Sequence, residues 1–161
     1  MRTVLFRSFL KQKWAVKRMI VEAILFLGYA RVMNFLPFAR IAPLLGTEQQ
    51  ETTYERHPVK ERTALHISKV IYMVSKHTPW KSECMVSGIA AMKMLKRRNI
   101  ESTLYFGIAK NEHQQLIAHA WLRCGTLYVT GAEGIENFTV VNKFAKQSKH
   151  VNRGCVIKHE G

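Results

Sequence analysis

The chain changes its hydrophobic period once, near Asn99, and that change limits the folds open to it. Before it, apolar residues recur at helical spacing. Residues 19–36 are apolar almost all round and stop at Pro37, and residues 59–76 place Leu65, Ile67, Val70, Ile71, Met73 and Val74 on one face. A third helix follows Ser82, with Glu83 in its first turn and Lys96, Arg97 and Arg98 at its end, an order that suits the helix dipole. After Asn99 the chain reads as strands over residues 102–109, 116–124, 127–131 and 138–141. Helices followed by a small antiparallel sheet predict an α+β fold.

The expected organisation is an N-terminal helical segment over residues 1–45, with a short second helix after Pro37, and a polar linker over 46–58. A core over 59–146 and a basic tail over 147–161, in which only CVI reads as structured, complete it. No charge-free stretch approaches the roughly 20 residues needed to span a bilayer. The basic residues near the start are scattered without an apolar run and cleavage site behind them, so a secretory signal is not expected.

All eleven acidic residues are glutamates. An Asp-based triad, an Asp-rich magnesium site and an EF-hand are therefore excluded. Cys84, Cys124 and Cys155 fit neither a disulfide framework nor the close pairs of a zinc site, so no metal and no cofactor are expected, and the chain reads as reduced and cytoplasmic. The net charge of +14 admits a basic nucleic-acid or membrane-surface module as a non-enzymatic alternative, but no Lys/Arg block is long enough to favour nucleic acid.

Two residues carry the chemistry. Cys84 stands two residues after Ser82, read as a cap, which puts its sulfur at the positive end of a helix where a thiolate is stabilised. His119 alternates with Trp121 and Arg123 on one strand face, while Ala118, Ala120, Leu122 and Cys124 take the other. A helix-start cysteine followed by a strand histidine is the order used by cysteine hydrolases of the papain and transglutaminase kind. The same pair also supports acyl transfer.

The run WKSECMVSGIAAMKMLKRRNIESTLYFGIAK with LIAHAWLRCG resembles the transglutaminase-like leader peptidases of lasso-peptide biosynthesis. The shared features are the cysteine opening a helix (Cys84), the basic helix end (94–100), the strand with its glycine (106–108) and the HAW motif (119–122). KWAVKRMIVEAILFLGYARVMNFLPF is similar to that family's helical lead into the core, so the resemblance spans residues 10–146.

The resemblance implies a transglutaminase/papain-like core and a cysteine peptidase that removes the leader from a ribosomal precursor peptide, upstream of an ATP-dependent macrolactam synthetase. Cys84 would be the nucleophile and His119 the base. Trp80, Trp121 and Thr130 are candidate substrate-binding residues. Leader recognition in that family is the task of a small winged-helix-like domain. The region before the core has no strand pattern for one, so a separate leader-binding protein is expected, and any membrane association would come through a partner complex.

The family's third member is an aspartate on the strand after the histidine, and this chain has none. A hairpin turning at Cys124-Gly125 or Gly125-Thr126 sets His119 opposite Thr130 or Ala132, with Gly131 between them. Glu133 is the nearest carboxylate and the candidate orienting acid, with Glu136 and Asn137 more remote. Thr130 or a backbone carbonyl is the other way to orient the ring.

Overall fold

A computed structural model describes residues 14–80 and 82–148. Four helices pack on a five-stranded sheet whose short first strand falls between the second and third of them: α1 (Trp14–Met33), α2 (Phe38–Leu45), α3 (Pro58–Ser75) and α4 (Cys84–Arg97). The strands are β1 (Thr47–Glu48), β2 (Ser102–Lys110), β3 (Leu116–Cys124), β4 (Leu127–Thr130) and β5 (Thr139–Lys146), with a 3-10 turn over Ile135–Asn137. Spatial order is β1-β5-β2-β3-β4, antiparallel throughout, which makes the fold α+β as expected. No helix among the described residues is long and apolar enough to cross a membrane. Cys155 and most of the tail lie outside the described residues.

Local chemistry explains the element ends. Pro37 ends the first helical stretch and stands as N-cap of α2, whose Phe38 meets Phe106 and Phe144 edge-on at 5.5 and 6.0 Å. Pro58 opens α3, where its missing N–H costs nothing. Asn99, at φ 54°, closes α4 in a Schellman turn: Ile100 N–H donates to Leu95 O (3.1 Å) and Asn99 N–H to Lys96 O (3.0 Å). Ile100 and Leu95 are both buried, supplying the apolar contact that accompanies this motif. Glu22, buried on α1, accepts two bonds from Arg98 (3.0 and 2.8 Å) and fastens α1 to the end of α4.

Ala120, Leu122, Cys124, Leu104 and Phe144 are buried, and all but Ala120 belong to one core cluster with Ile67, Ile71, Ile89 and Met92 of α3 and α4. The other sheet face carries Tyr105 and Gly107 of β2 beside Trp121 and His119 of β3. It is not left to solvent. The segment from β4 to β5 crosses it, and at its other end lies the stretch expected as a polar linker. Thr47 and Glu48 pair with Ala145 and Phe144, and Thr52 N–H donates to Thr103 Oγ1 at 2.9 Å. The segment is part of the sheet layer rather than a free connection. Gly46 is required where it begins, because a Cβ there would lie 2.2 Å from Ala145 O.

Arg123 is the reason this polar segment is held. It is 1% exposed and lies beneath the Tyr54 ring at 3.6 Å. Its guanidinium donates to Thr52 O (2.9 Å), Thr53 O (3.2 Å), Gly125 O (2.7 Å) and Tyr105 Oη (2.9 Å), and reaches Glu51 at 3.4 Å. A buried cation is tolerable only when its donors are met, and here backbone carbonyls meet them.

Arg123→Met should therefore lower the unfolding free energy in urea by about 3 kcal/mol or more, because the carbonyls and Glu51 lose their partner. Arg97→Gln, at a half-exposed surface pair, should change it by less than about 0.5 kcal/mol. The Lys143 ammonium, bonded to Glu51 at 2.7 Å, holds the Glu51 carboxyl below its ordinary 4.5. Its contribution to stability is present above pH 4.5 and is lost as the pH falls through the depressed value. Glu51→Gln should flatten that acid-side slope in pH-dependent unfolding.

Candidate active site

Cys84 is the first residue of α4, half-buried and unpaired. The cap position belongs to Glu83, which makes no side-chain cap bond. Ser82, expected as the cap, is engaged elsewhere. Its hydroxyl bonds that of Thr78 at 2.9 Å, and its carbonyl accepts from Ser87 Oγ at 3.3 Å. Thr78 Oγ1 also lies 3.0 Å from the carbonyls of Ser75 and Trp80, so this knot shapes the turn that delivers Cys84. With no side-chain cap, the first-turn N–H groups remain available as donors.

The position of α4 over the sheet follows from Gly88. A Cβ there would lie 2.8 Å from Leu104 Cδ1 and 3.7 Å from Thr130 Oγ1, so the helix backbone rests on the rung Leu104, Leu122, Thr130. α4 enters β2 through a tight turn and runs back along it. Cys84 stands one helical turn (about 5.4 Å) before Gly88, at the end of α4 away from the turn into β2.

His119 is half-buried between Phe138 (ring centroids 5.1 Å apart) and Trp121 (6.0 Å). Its Nε2 bonds the carbonyl of Gly131 at 3.0 Å. A carbonyl can only accept, so Nε2 carries the proton. The neutral ring then keeps its lone pair on Nδ1, the nitrogen available as a base. α4 packs on the sheet face that carries Leu122 and Cys124, whereas His119 alternates onto the other. No hydrogen bond joins Cys84 and His119 among the described residues.

A bulge sets Gly131 under the ring. The two-residue turn at Gly125-Thr126 pairs Cys124 with Leu127 and Arg123 with Tyr128, but the next pair is Leu122 with Thr130, leaving Val129 extra. Regular pairing from that turn would place Ala132 opposite His119. The bulge breaks the register, β4 stops at Thr130, and Gly131 turns at φ 66°. Only glycine fits, because a Cβ would lie 2.4 Å from Ala120 O and 3.2 Å from His119 Nε2.

The other candidates have different surroundings. Glu133 is exposed and forms no hydrogen bond or ion pair with His119 among the described residues, and Glu136 and Asn137 are exposed as well. Trp121 is 4% exposed and stacked on Tyr105 (5.6 Å, 9°), which makes it the wall behind His119 rather than a surface for substrate. Trp80 is half-buried with its ring against Gly28 of α1. Thr130 Oγ1 is buried without a partner, beside the first turns of α4. Cys124 is buried, and desolvation pushes its thiol up to about 11, so it stays protonated at neutral pH. Gly107, legible in the sequence only as the glycine of the strand motif, makes room for the rings. A Cβ there would lie 2.8 Å from the Trp121 ring and 2.9 Å from Phe138, so its bareness lets both rings close around His119.

The model of one protein family, described as the transglutaminase-like superfamily, matches residues 24–143, from α1 through most of β5. The chain belongs to the transglutaminase-like superfamily. Its members are typically cysteine peptidases or acyltransferases, in keeping with a helix-start cysteine and a strand histidine. No curated protein and no solved structure matches the chain significantly.

Nitrogen-15 NMR of the histidines should find neutral His119 as the Nε2–H tautomer, with the signal unchanged in Glu133→Gln. A tautomer change in that variant would give the orienting role to Glu133 instead. Gly131→Ala should destabilise the fold by about 1–3 kcal/mol through its left-handed backbone alone.

Proposed function

We propose that this chain is a cysteine peptidase that removes the leader from a ribosomally made lasso-peptide precursor before the macrolactam is closed. The observation that supports the cysteine chemistry is the Nε2–H to Gly131 carbonyl bond, which leaves Nδ1 of His119 as a base, in a chain whose Cys84 opens α4. The leader-peptide part rests on the resemblance of residues 80–110 and 116–125 to that peptidase family.

In this mechanism Nδ1 of His119 accepts the Cys84 thiol proton, and the thiolate attacks the scissile carbonyl. The N–H of Cys84, at the positive end of α4, donates to the oxyanion that forms. Collapse of the adduct returns the proton from His119 to the departing amine and leaves a thioester on Cys84. Water, deprotonated by the same nitrogen, releases the leader acid. An amine in place of water would make the chain an acyltransferase. Product masses separate the two acceptors.

Incubation with precursor peptide and a separate leader-binding protein, read by mass spectrometry, tests the proposal. Cys84→Ala should abolish cleavage and keep the fold, whereas Cys124→Ser should retain turnover if it remains folded. His119→Ala should lose about 100-fold to 10,000-fold in rate. Glu133→Gln should have wild-type kinetics, because its carboxylate makes no bond to the ring. Near-normal turnover by Cys84→Ala would remove the nucleophile and the proposal with it.

A further inference from the structure

α1 is apolar on almost every side, yet only part of it is covered. Ala23, Leu27, Ala30 and Met33 are buried in the core. Trp14 and Leu25 are 79% and 67% exposed, and Val21 and Val32 share their side of the helix. A helix apolar all round belongs in an interior, and among the described residues nothing covers this stripe. Val21, Leu25 and Val32 follow one another at four and seven residues, the spacing of a seam that packs against another helix.

Beside the first half of the stripe, between α1 and the end of α4, lies an open cavity of about 820 Å³. Trp14, Val21 and Leu25 give it apolar walls, and Lys17, Arg18, Arg97 and Arg98 also line it. Among the described lining residues Glu22 is the one carboxylate, and it is already bonded to Arg98 and 3.5 Å from Arg97, while Arg18 is exposed. We propose that this groove docks an acidic, apolar helical segment of a partner polypeptide.

Charge selects the occupant. The chain's own residues 1–13 bring Arg2, Arg7, Lys11 and Lys13 without an acid, and a second copy brings the same +14 charge, so neither complements the rim. Shape argues against a bilayer, which is flat and inserts no side chain into a concave pocket. Leucine-like side chains on the stripe, with glutamates level with Arg18 and Arg97, satisfy both walls and rim. The proposal stands on the groove alone and is independent of Cys84 chemistry.

The test is fluorescence anisotropy of the full chain with a labelled synthetic amphipathic helix of leucine and glutamate. Its lysine-for-glutamate counterpart and vesicles of mixed phosphatidylcholine and phosphatidylglycerol serve as competing probes. The glutamate helix should bind, more weakly as salt rises, and Cys84→Ala should bind it equally. Arg18→Glu and Leu25→Glu, both at exposed positions and checked for fold by circular dichroism, should each weaken binding about tenfold or more. Val59→Glu, exposed on α3 away from the groove, should not. Equal binding of the lysine helix, binding of vesicles but not of the glutamate helix, or full affinity in Leu25→Glu would overturn the proposal.

Discussion

Arg123 is the fixed point of the sheet's outer face. Its guanidinium holds four oxygens and the Tyr54 ring, which fastens residues 51–54 across the strands. From there order passes along the face by contact. Tyr105, fixed by its bond from Arg123, stacks on Trp121, and Trp121 backs the imidazole of His119. His119, Trp121 and Arg123 are alternate residues of one strand, so a single side of β3 links the structural anchor to the His119 imidazole. Burial pushes the Tyr105 phenol well above its ordinary value, so the ring stays neutral beneath the cation.

How much of this was legible depends on which part of a residue does the work. β3 was read to its exact ends because Ala120, Leu122 and Cys124 face a core, and a buried face writes a period of two into side chains. The start of α4 was legible through Cys84 and the basic residues at its end. β5 was cut short at residue 141 because a bulge between the partners of Phe106 and Gly107 breaks its alternation just before Asn142 and Lys143. The linker was misread for a related reason. Its polar side chains suggest solvent, but the groups that hold it are the carbonyls of Thr52 and Thr53, which every sequence has.

The same blindness governs the third member of the site. A carboxylate can be sought in a sequence, which is why Glu133 stood out. A main-chain carbonyl in the right place cannot. It depended on a bulge at Val129 and a left-handed glycine at 131, and only the glycine leaves a trace. Thr130, Gly131 and Ala132 were all bracketed by the hairpin arithmetic. What the arithmetic could not supply was that Gly131 would offer its backbone.

A carbonyl in place of a carboxylate changes what the histidine can do. A carboxylate in this position fixes the tautomer and also stabilises the imidazolium by charge; in serine enzymes the wrong tautomer alone costs about 10,000-fold. Gly131 O supplies the first service fully, since it leaves Nε2 no choice but to donate, and the second only through a dipole. The deficit falls on the step that separates charge between sulfur and imidazole. Cysteine suits such a site better than serine, because its thiol is intrinsically more acidic and needs less assistance to ionise. Under the proposed mechanism, a chain without aspartate keeps the tautomer that the proton path needs by using a main-chain carbonyl, and it relies on a thiol nucleophile for the charge separation that the carbonyl supports less well.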